Sequence, residues 1–339
     1  MSSSTDHYKL IIVGAGVSGI FALALLPPAI LRQTCVIECD AIGGDLATKY
    51  GAVVSNITTA EIKAALRSVP KWSDVALPLM DAYADGDCMP LHVVVKTLRT
   101  LIAPELRHVR LINRRAVSYT ATTVNGWRIE TDDGQLLETQ RLFLCTGATP
   151  RVMDLGVPMI PLHVALAPTL VHYVGADDRI VVFGTAHSGT LALKNLRDAG
   201  VTDLTAIYRG VAPFRYARDG DTEGIKQESA AVADSIVADR WAKCVRLEDF
   251  GAAYRATANA TAVVCATGFE KPQIHYTDLA GVKRPFVYHD NSVFKDAPPN
   301  VWGFGIGFPT TYVAPNGNRY PDVGFAAFIA ALKAVIPTL

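Results

Sequence analysis

The hydrophobic positions of the chain form two similar units, each with an apolar strand, a glycine-rich turn and a largely apolar helix. The first unit is YKLIIVGAGVSGIFALALL, from Tyr8 to Leu26, and the second is RIVVFGTAHSGTLALKNL, from Arg179 to Leu196. Continuous apolar runs of this kind are typical of parallel strands that are covered on both faces by crossover helices. The pattern predicts an α/β protein with two Rossmann-like dinucleotide-binding domains.

The segment between the two units has a different periodicity. From about residue 109 to 144, short runs of alternating polar and apolar residues are separated by Asn125-Gly126 and Asp133-Gly134, which are strong hairpin signals. This pattern predicts a small antiparallel β-meander. The run NVWGFGIGFP, near the C-terminus, returns to the first domain. The second domain is therefore expected to be inserted in the first, with domain parts at residues 1–155, 156–270 and 271–339.

Charge and composition exclude several classes of partner. The 339 residues contain 32 Lys plus Arg and 32 Asp plus Glu, so no nucleic-acid partner and no acidic membrane surface is expected. The stretch from Leu10 to Leu31 carries no charge and has the length of a membrane span, but its three clustered glycines and Pro27-Pro28 fit a buried strand and helix better. The sequence therefore predicts a cytoplasmic protein without a membrane segment.

The first glycine-rich turn has the features of a dinucleotide-binding site. Gly14 fits the tight turn, Gly16 allows a pyrophosphate to approach the backbone, and Gly19 allows the helix to pack on the strand. Glu38 ends the next predicted strand, where a carboxylate accepts hydrogen bonds from ribose hydroxyls. Strand, turn, helix and acid together predict a bound adenine dinucleotide.

The second turn, from Gly184 to Gly189, keeps the outer glycines but has Ala186 at the middle position. A methyl group there would crowd the pyrophosphate without blocking it. Arg209 occupies the position of the ribose-binding acid and favours NADP, because a guanidinium can pair with the 2′-phosphate. Arg215 and Arg218 lie nearby in sequence. His187 is either a phosphate contact at the helix N-terminus or a solvated surface residue.

Two strand ends complete a recognisable arrangement. Thr146-Gly147 and Thr267-Gly268 each follow an apolar strand, one in each unit. Together with two fingerprints 170 residues apart and a meander, they resemble the flavoproteins with two dinucleotide-binding domains. In length the chain is similar to the thioredoxin reductase branch, but none of its six cysteines forms the Cys-x-x-Cys dithiol of those reductases.

Other segments are similar to the flavin-containing monooxygenases. GGDLATKYGAVVSN resembles their double-glycine segment with a Tyr and an Asn close to the flavin, which correspond to Gly43, Gly44, Tyr50 and Asn56. The pair Gly305-Ile306 also resembles the monooxygenases, whereas the reductases have Gly-Asp there. Asn56 has an alternative explanation as a turn residue that opens the following helix.

The resemblance implies a function. We expect an FAD- and NADPH-dependent monooxygenase that oxygenates a small molecule with O₂ through a flavin hydroperoxide, with Asn56 as the catalytic residue. The alternatives are a dithiol-free NAD(P)H-flavin reductase or oxidase that serves another acceptor, and a flavin-bound non-catalytic protein with a vestigial NADP site. The sequence leaves the oligomeric state open, a homodimer included. The expected cofactor-binding residues are Gly14, Gly16, Ser18, Gly19, Glu38, Gly43, Gly44, Tyr50, Thr146, Gly147, Gly184, Thr185, His187, Ser188, Gly189, Arg209, Gly268 and Gly305.

Overall fold

The strands of the chain build two main sheets and three small two-stranded pairs in a computed structural model that describes residues 6–123, 126–217, 224–313, 317 and 319–339. In chain order they are β1 (Asp6–Val13), β2 (Thr34–Ile37), β3 (Arg110–Ile112), β4 (Ala116–Ala121), β5 (Trp127–Thr131), β6 (Leu136–Leu144), β7 (Thr149–Pro150), β8 (Met159–Ile160), β9 (Arg179–Phe183), β10 (Asp203–Tyr208), β11 (Lys243–Arg246), β12 (Ala262–Cys265), β13 (Phe269–Glu270), β14 (His275–Thr277), β15 (Lys283–Pro285), β16 (Val287–Asp290), β17 (Val293–Lys295), β18 (Val301–Gly303), β19 (Thr310–Val313) and β20 (Arg319–Asp322).

The α-helices follow the same order. They are α1 (Val17–Leu25), α2 (Pro28–Leu31), α3 (Asp45–Thr48), α4 (Thr59–Arg67), α5 (Pro78–Asp81), α6 (Leu91–Leu106), α7 (Leu162–Ala165), α8 (His187–Asp198), α9 (Gln227–Asp239), α10 (Phe250–Ala258) and α11 (Phe325–Val335). No helix in the described part of the chain is long and apolar enough to cross a membrane.

The core of the first sheet is parallel. Its strands lie in the order β3-β2-β1-β6-β18, and every neighbouring pair in this series is parallel. The residues from Leu10 to Val13 are buried, because β1 lies in the middle of the sheet with helices on one face and the meander on the other. Eight of the nine residues of α1 are also buried, which accounts for the uncharged run in the sequence.

The meander is shorter than the sequence predicts. β4, β5 and β6 pair in antiparallel fashion, and the hairpin at Asp133-Gly134 is confirmed, with Gly134 at φ +82°. The prediction that the meander begins near residue 109 is wrong, because Arg110–Ile112 is β3 and pairs in parallel with β2. A three-residue strand has the same local pattern in either pairing, so only the tertiary partner decides. Asn125 lies outside the described residues.

The second sheet repeats the order of the first. Its five strands lie in the order β11-β10-β9-β12-β8, all parallel, with the fingerprint strand β9 in the centre, as β1 is in the first sheet. In the chain these strands fall between β6 and β14, which both belong to the first sheet. The two connections run side by side as β7 and β13. The predicted fold of two Rossmann-like units, one inserted in the other, is confirmed.

Candidate functional site

The three positions of the first fingerprint require glycine for different structural reasons. A Cβ on Gly14, at φ +98°, would overlap the Cys145 carbonyl oxygen, and a Cβ on Gly19 would overlap the Gly14 carbonyl oxygen. Both are therefore required by the packing of the protein itself. Gly16 has an ordinary φ of −65°, and no protein atom outside its immediate chain neighbours lies within 4 Å of where its Cβ would be. Its missing side chain leaves open space, which is what a bound pyrophosphate requires.

Glu38 lies beside this turn as the sequence predicts. It follows β2, is 8% exposed, and accepts hydrogen bonds from the Ala15 N–H at 2.6 Å and the Asp40 N–H at 2.9 Å. Each carboxylate oxygen therefore keeps a lone pair for another donor. The two backbone bonds hold the carboxylate at the edge of the fingerprint, where it can accept from ribose hydroxyls.

The double-glycine segment packs against the same turn. The Gly43 N–H donates to the Ala15 carbonyl oxygen at 2.8 Å, and a Cβ on Gly44 would lie 3.2 Å from the Cα of Gly16. Both glycines have positive φ, +102° and +57°. The double-glycine segment therefore lies against the first fingerprint, and both positions favour glycine on conformational grounds.

Among the described residues, two buried side-chain oxygens of predicted site residues lack a hydrogen-bond partner. They are Asn56 Oδ1 and Thr146 Oγ1. An unsatisfied buried polar atom costs about 1–3 kcal/mol, so a bound polar group that satisfies both would stabilise the site. Thr58, not Asn56, caps α4 in a capping box with Glu61, and Asn56 lies in the bend two residues before that cap.

The C-terminal segment closes the first site from the opposite side of β6. The Phe304 N–H donates to the Leu144 carbonyl oxygen at 2.9 Å, which continues the pairing of β18 with β6. Gly305, at φ +90°, lies so close to Ser18 that a Cβ would be 2.5 Å from the Ser18 hydroxyl. A Cβ on Gly307 would overlap the Gly147 carbonyl oxygen. Segments distant in sequence are thus brought together around the first fingerprint.

The second fingerprint repeats the geometry of the first. Gly184 has φ +97°, a Cβ on it would overlap the Ala266 carbonyl oxygen, and a Cβ on Gly189 would overlap the Gly184 carbonyl oxygen. Ala186 caps α8 at φ −76°, ψ −172°, close to the −65°, −168° of Gly16 in the same position before α1. The methyl group of Ala186 is therefore accommodated without backbone strain. No side chain caps either helix, so the N–H groups of both first turns can bind an anion.

Gly147 and Gly268 occupy equivalent positions in the two units. Each follows the strand next to the fingerprint strand, with positive φ of +72° and +94° and no atom within 4 Å of a Cβ. The Gly268 carbonyl oxygen also accepts from the Arg151 N–H at 3.0 Å, which joins the two connections between the units.

The arginines predicted near the second nucleotide site lie in different environments. Arg209 follows β10 as Glu38 follows β2; it is exposed and pairs with no group in the part of the chain that the structure describes. Arg215 lies over the Tyr320 ring, with its guanidinium carbon 5.7 Å from the ring centroid. The Thr185 hydroxyl donates to the Pro213 carbonyl oxygen. Arg218 lies outside the described residues.

The structure gives His187 a different environment from either expectation. Its Nε2 lies 2.9 Å from the Val54 carbonyl oxygen, and its Nδ1 lies 3.1 Å from the Ser229 hydroxyl. Burial lowers the pKa of the imidazole. Because protein atoms use both ring nitrogens, the expectation of a phosphate contact is wrong, and so is that of a solvated surface residue.

Tyr50 also lies elsewhere than the resemblance implies. Its buried ring packs edge-on against Phe269, with centroids 6.1 Å apart, and belongs to the hydrophobic core of the second unit. Burial raises the pKa of its hydroxyl to about 12. The side chain therefore joins the two units, which corrects its prediction as a cofactor-binding residue.

Several residues that contribute to the site have no signal in the sequence. Arg99, on α6, donates from Nε to the Ile42 carbonyl oxygen at 2.6 Å and so supports the double-glycine segment. Val54 and Phe304 contribute backbone atoms, which no residue type reveals. Only the tertiary contacts identify these three residues.

The chain was compared with known proteins. No family model matches it. It is 26% identical to the monooxygenase AgnR1 of Paecilomyces divaricatus, in an alignment that covers 99% of this chain and 98% of that protein. Among solved structures, it is similar to a flavin-containing monooxygenase from Stenotrophomonas maltophilia (TM-score 0.66, 16% identity, 98% of both chains). It is also similar to the bacillithiol disulfide reductase Bdr (YpdA) from Bacillus cereus (TM-score 0.63, 17% identity, 98% of both chains).

These likenesses confirm the predicted resemblance. The chain shares its fold with a flavin-containing monooxygenase and with a disulfide reductase. The similarity to a monooxygenase along nearly the whole chain agrees with the prediction of an oxidoreductase.

Proposed function

We propose that this protein is an FAD-dependent, NADPH-using monooxygenase that acts on a small molecule with O₂. One observation carries the proposal: Gly16 leaves open space in the first fingerprint, and two predicted site residues, Asn56 and Thr146, each have a buried side-chain oxygen without a partner among the described residues. A polar ligand along this surface would fill the space and supply the missing hydrogen bonds. The relative named as a monooxygenase supports the choice of reaction.

The residues of the first unit fit an FAD molecule. Gly16 and the uncapped first turn of α1 would hold the pyrophosphate, and Glu38 would accept from the ribose of the adenosine half. Thr146 and Asn56 would contact parts of the cofactor nearer the reacting end. When bound, FAD supplies the redox chemistry, which is the acceptance of a hydride from NADPH and the subsequent reaction with O₂.

The second unit is proposed to bind NADPH. Its fingerprint has the backbone geometry of the first, and α8 presents an uncapped first turn to a phosphate. Arg209 is exposed, has no partner among the described residues, and follows β10 at the position where a 2′-phosphate would lie. The packing of the protein itself requires both outer glycines, so the argument against a vestigial second site is the uncapped first turn of α8 together with Arg209.

Asn56 is proposed as the residue that contacts the reacting atoms. A neutral amide can donate and accept hydrogen bonds without supplying an acidic proton. In a site from which water is excluded, such a fixed dipole stabilises a polar oxygen species more effectively than mobile water does. The segment that carries Asn56 is held rigidly, since the Ser55 N–H donates to the Met89 carbonyl oxygen at 2.9 Å and the Ser55 hydroxyl donates to Ile57 at 2.6 Å.

The disulfide reductase among the similar structures raises the question of thiol chemistry. Cys88 lies close to the Asn56 segment, because the Ser55 N–H donates to the carbonyl oxygen of the neighbouring Met89. Burial raises the pKa of the Cys88 thiol, which disfavours the thiolate form that exchange with a disulfide requires.

The proposal is tested by anaerobic reduction followed by oxygen. The purified protein should carry FAD, and NADPH should bleach its visible absorbance without oxygen. After mixing with O₂, Asn56→Ala should release hydrogen peroxide about fivefold faster than the unaltered protein, the size expected for one lost hydrogen bond. FAD content should be unchanged.

Asn113→Ala is the matched control, because Asn113 is an exposed asparagine just after β3. It should behave like the unaltered protein. If Asn56→Ala leaves peroxide release unchanged while NADPH still reduces the flavin, the protein is an electron-transferring reductase or oxidase instead. If NADPH does not reduce the flavin at all, the role assigned to the second unit is wrong.

A further inference from the structure

His187 joins the second fingerprint to the segment that carries Asn56. It is the first residue of α8, directly after the turn proposed to hold NADPH. Its Nε2 lies 2.9 Å from the Val54 carbonyl oxygen, two residues before Asn56, and its Nδ1 lies 3.1 Å from Ser229 on α9. One partly buried side chain therefore links the second fingerprint, a second helix and the opposite unit.

The internal repeat of the protein shows that this link is specific to the second unit. The equivalent first residue of α1 is Val17, which is 8% exposed and packs in the hydrophobic core of its own unit. In the second unit the position has a polar ring whose two nitrogens are both engaged, one of them across the boundary between the units.

The segment around Val54, which His187 contacts, can transmit a displacement of His187 to Asn56. Val54 forms an isolated bridge with Pro90, and Ser55 is bonded to Met89, so residues 54 and 55 are tied to a neighbouring stretch of backbone. Any ligand that uses the N–H groups at the start of α8 must fix the first turn of this helix and, with it, the His187 ring. A restraint on His187 becomes a restraint on Val54 and thus on Asn56.

We infer that His187 is a positioning residue that couples occupancy of the second nucleotide site to the placement of Asn56. This inference rests on the proposed function for its nucleotide, although the contact itself does not depend on any ligand. Nucleotide at the second fingerprint would restrain the Asn56 segment further, in addition to the hydrogen bonds that hold it without ligand.

Two amide substitutions at His187 distinguish the effect of its hydrogen bond to Val54 from the effect of the space that the side chain fills. In His187→Gln the side chain has the reach to donate to the Val54 carbonyl oxygen, whereas in His187→Asn it is one methylene shorter. The measurement is hydrogen–deuterium exchange of backbone amides in residues 53–57 without nucleotide. We expect exchange about fivefold faster in His187→Asn, the size of one lost hydrogen bond, and close to the unaltered rate in His187→Gln.

Gln227→Ala is the matched control for a general loss of contact between the units. Gln227, at the start of α9, donates to the Gly86 carbonyl oxygen at 3.0 Å and so bridges the same two units at another place. It should leave exchange in residues 53–57 unchanged. Equal rates in His187→Asn and the unaltered protein, or equally raised rates in both amide variants, would overturn the inference.

A second arm adds NADP⁺ and separates this inference from the proposed function. Protection of residues 184–190 by NADP⁺ tests the nucleotide site itself. If those residues are protected, residues 53–57 should also gain protection in the unaltered protein and in His187→Gln, but not in His187→Asn. If residues 184–190 show no protection, the nucleotide assignment fails, and the exchange rates without nucleotide alone decide on the His187 contact.

Discussion

The two fingerprints allow a reciprocal exchange of one methyl group. Gly16 and Ala186 occupy equivalent helix-capping positions with backbone angles that differ by about 11° in φ and 4° in ψ. Neither needs positive φ, so Gly16→Ala and Ala186→Gly change a methyl group without backbone strain. Gly16→Ala adds a methyl group where no surrounding protein atom lies within 4 Å, so the protein should fold normally.

The expected effects follow from the space that the ligand needs. In Gly16→Ala the added methyl group would compete only with the pyrophosphate of FAD, and overpacking by one methyl group costs about 1–3 kcal/mol. FAD should therefore bind roughly five- to a hundredfold more weakly. Ala186→Gly removes the same obstruction in the second unit and should tighten NADPH binding, by about fivefold at the lower end of this range.

The assays are the flavin content of the purified variants and the NADPH concentration that gives half-maximal anaerobic reduction. Thermal unfolding of the apoprotein serves as the control for folding. Neither substitution should lower the free energy of unfolding by more than about 1 kcal/mol. Unchanged FAD affinity in Gly16→Ala, and again in the bulkier Gly16→Val, would refute the placement of the pyrophosphate. No effect of Ala186→Gly on NADPH would show that the second site is vestigial.

Three further predictions concern charged groups. Arg209→Ala should abolish a preference for NADPH over NADH worth about 1.5–3 kcal/mol, roughly ten- to a hundredfold in affinity, and equal use of both nucleotides by the unaltered protein would contradict this. Glu38→Gln should lower FAD retention measured after gel filtration, because an amide nitrogen replaces an oxygen that accepts from the fingerprint backbone. Burial lowers the pKa of His187 below its ordinary 6.5; Lys226 lowers this pKa further, and Glu228 raises it. The unfolded state therefore binds the proton at a higher pH than the folded state does, so stability is lost as pH falls through 6.5. His187→Gln should therefore lose less Tm than the unaltered protein between about pH 7.5 and pH 5, and an equal loss would contradict this.

Much of the fold could be predicted from the sequence because its signals are local. The strand, turn and helix of each unit lie within about twenty residues, and Gly14 and Gly184 adopt the positive φ that only glycine tolerates easily. The hairpin at Asp133-Gly134 is equally local. The pairing of β3 could not be predicted, because a strand of three residues has no pattern that distinguishes a parallel from an antiparallel partner.

The residues of the candidate site were less predictable from the sequence than the fold. Positions that act through backbone conformation, such as Gly16 and Gly305, lie where the sequence placed them. Positions that act through side chains were less predictable: Tyr50 packs between the units, and His187 bonds to Val54. The direction of a side chain depends on which surface lies opposite, and that surface comes from another part of the chain.

The sequence by itself determined two dinucleotide-binding units, the residues of both turns and the acid or cation that follows each second strand, since all of these depend on spacing within a unit. The tertiary structure alone decided how the units meet. It left Asn56 Oδ1 without a partner, and it brought His187 to within hydrogen-bonding distance of a residue 133 positions away. Contacts between units depend on the packing of complete sheets, and no local pattern in the chain encodes that packing.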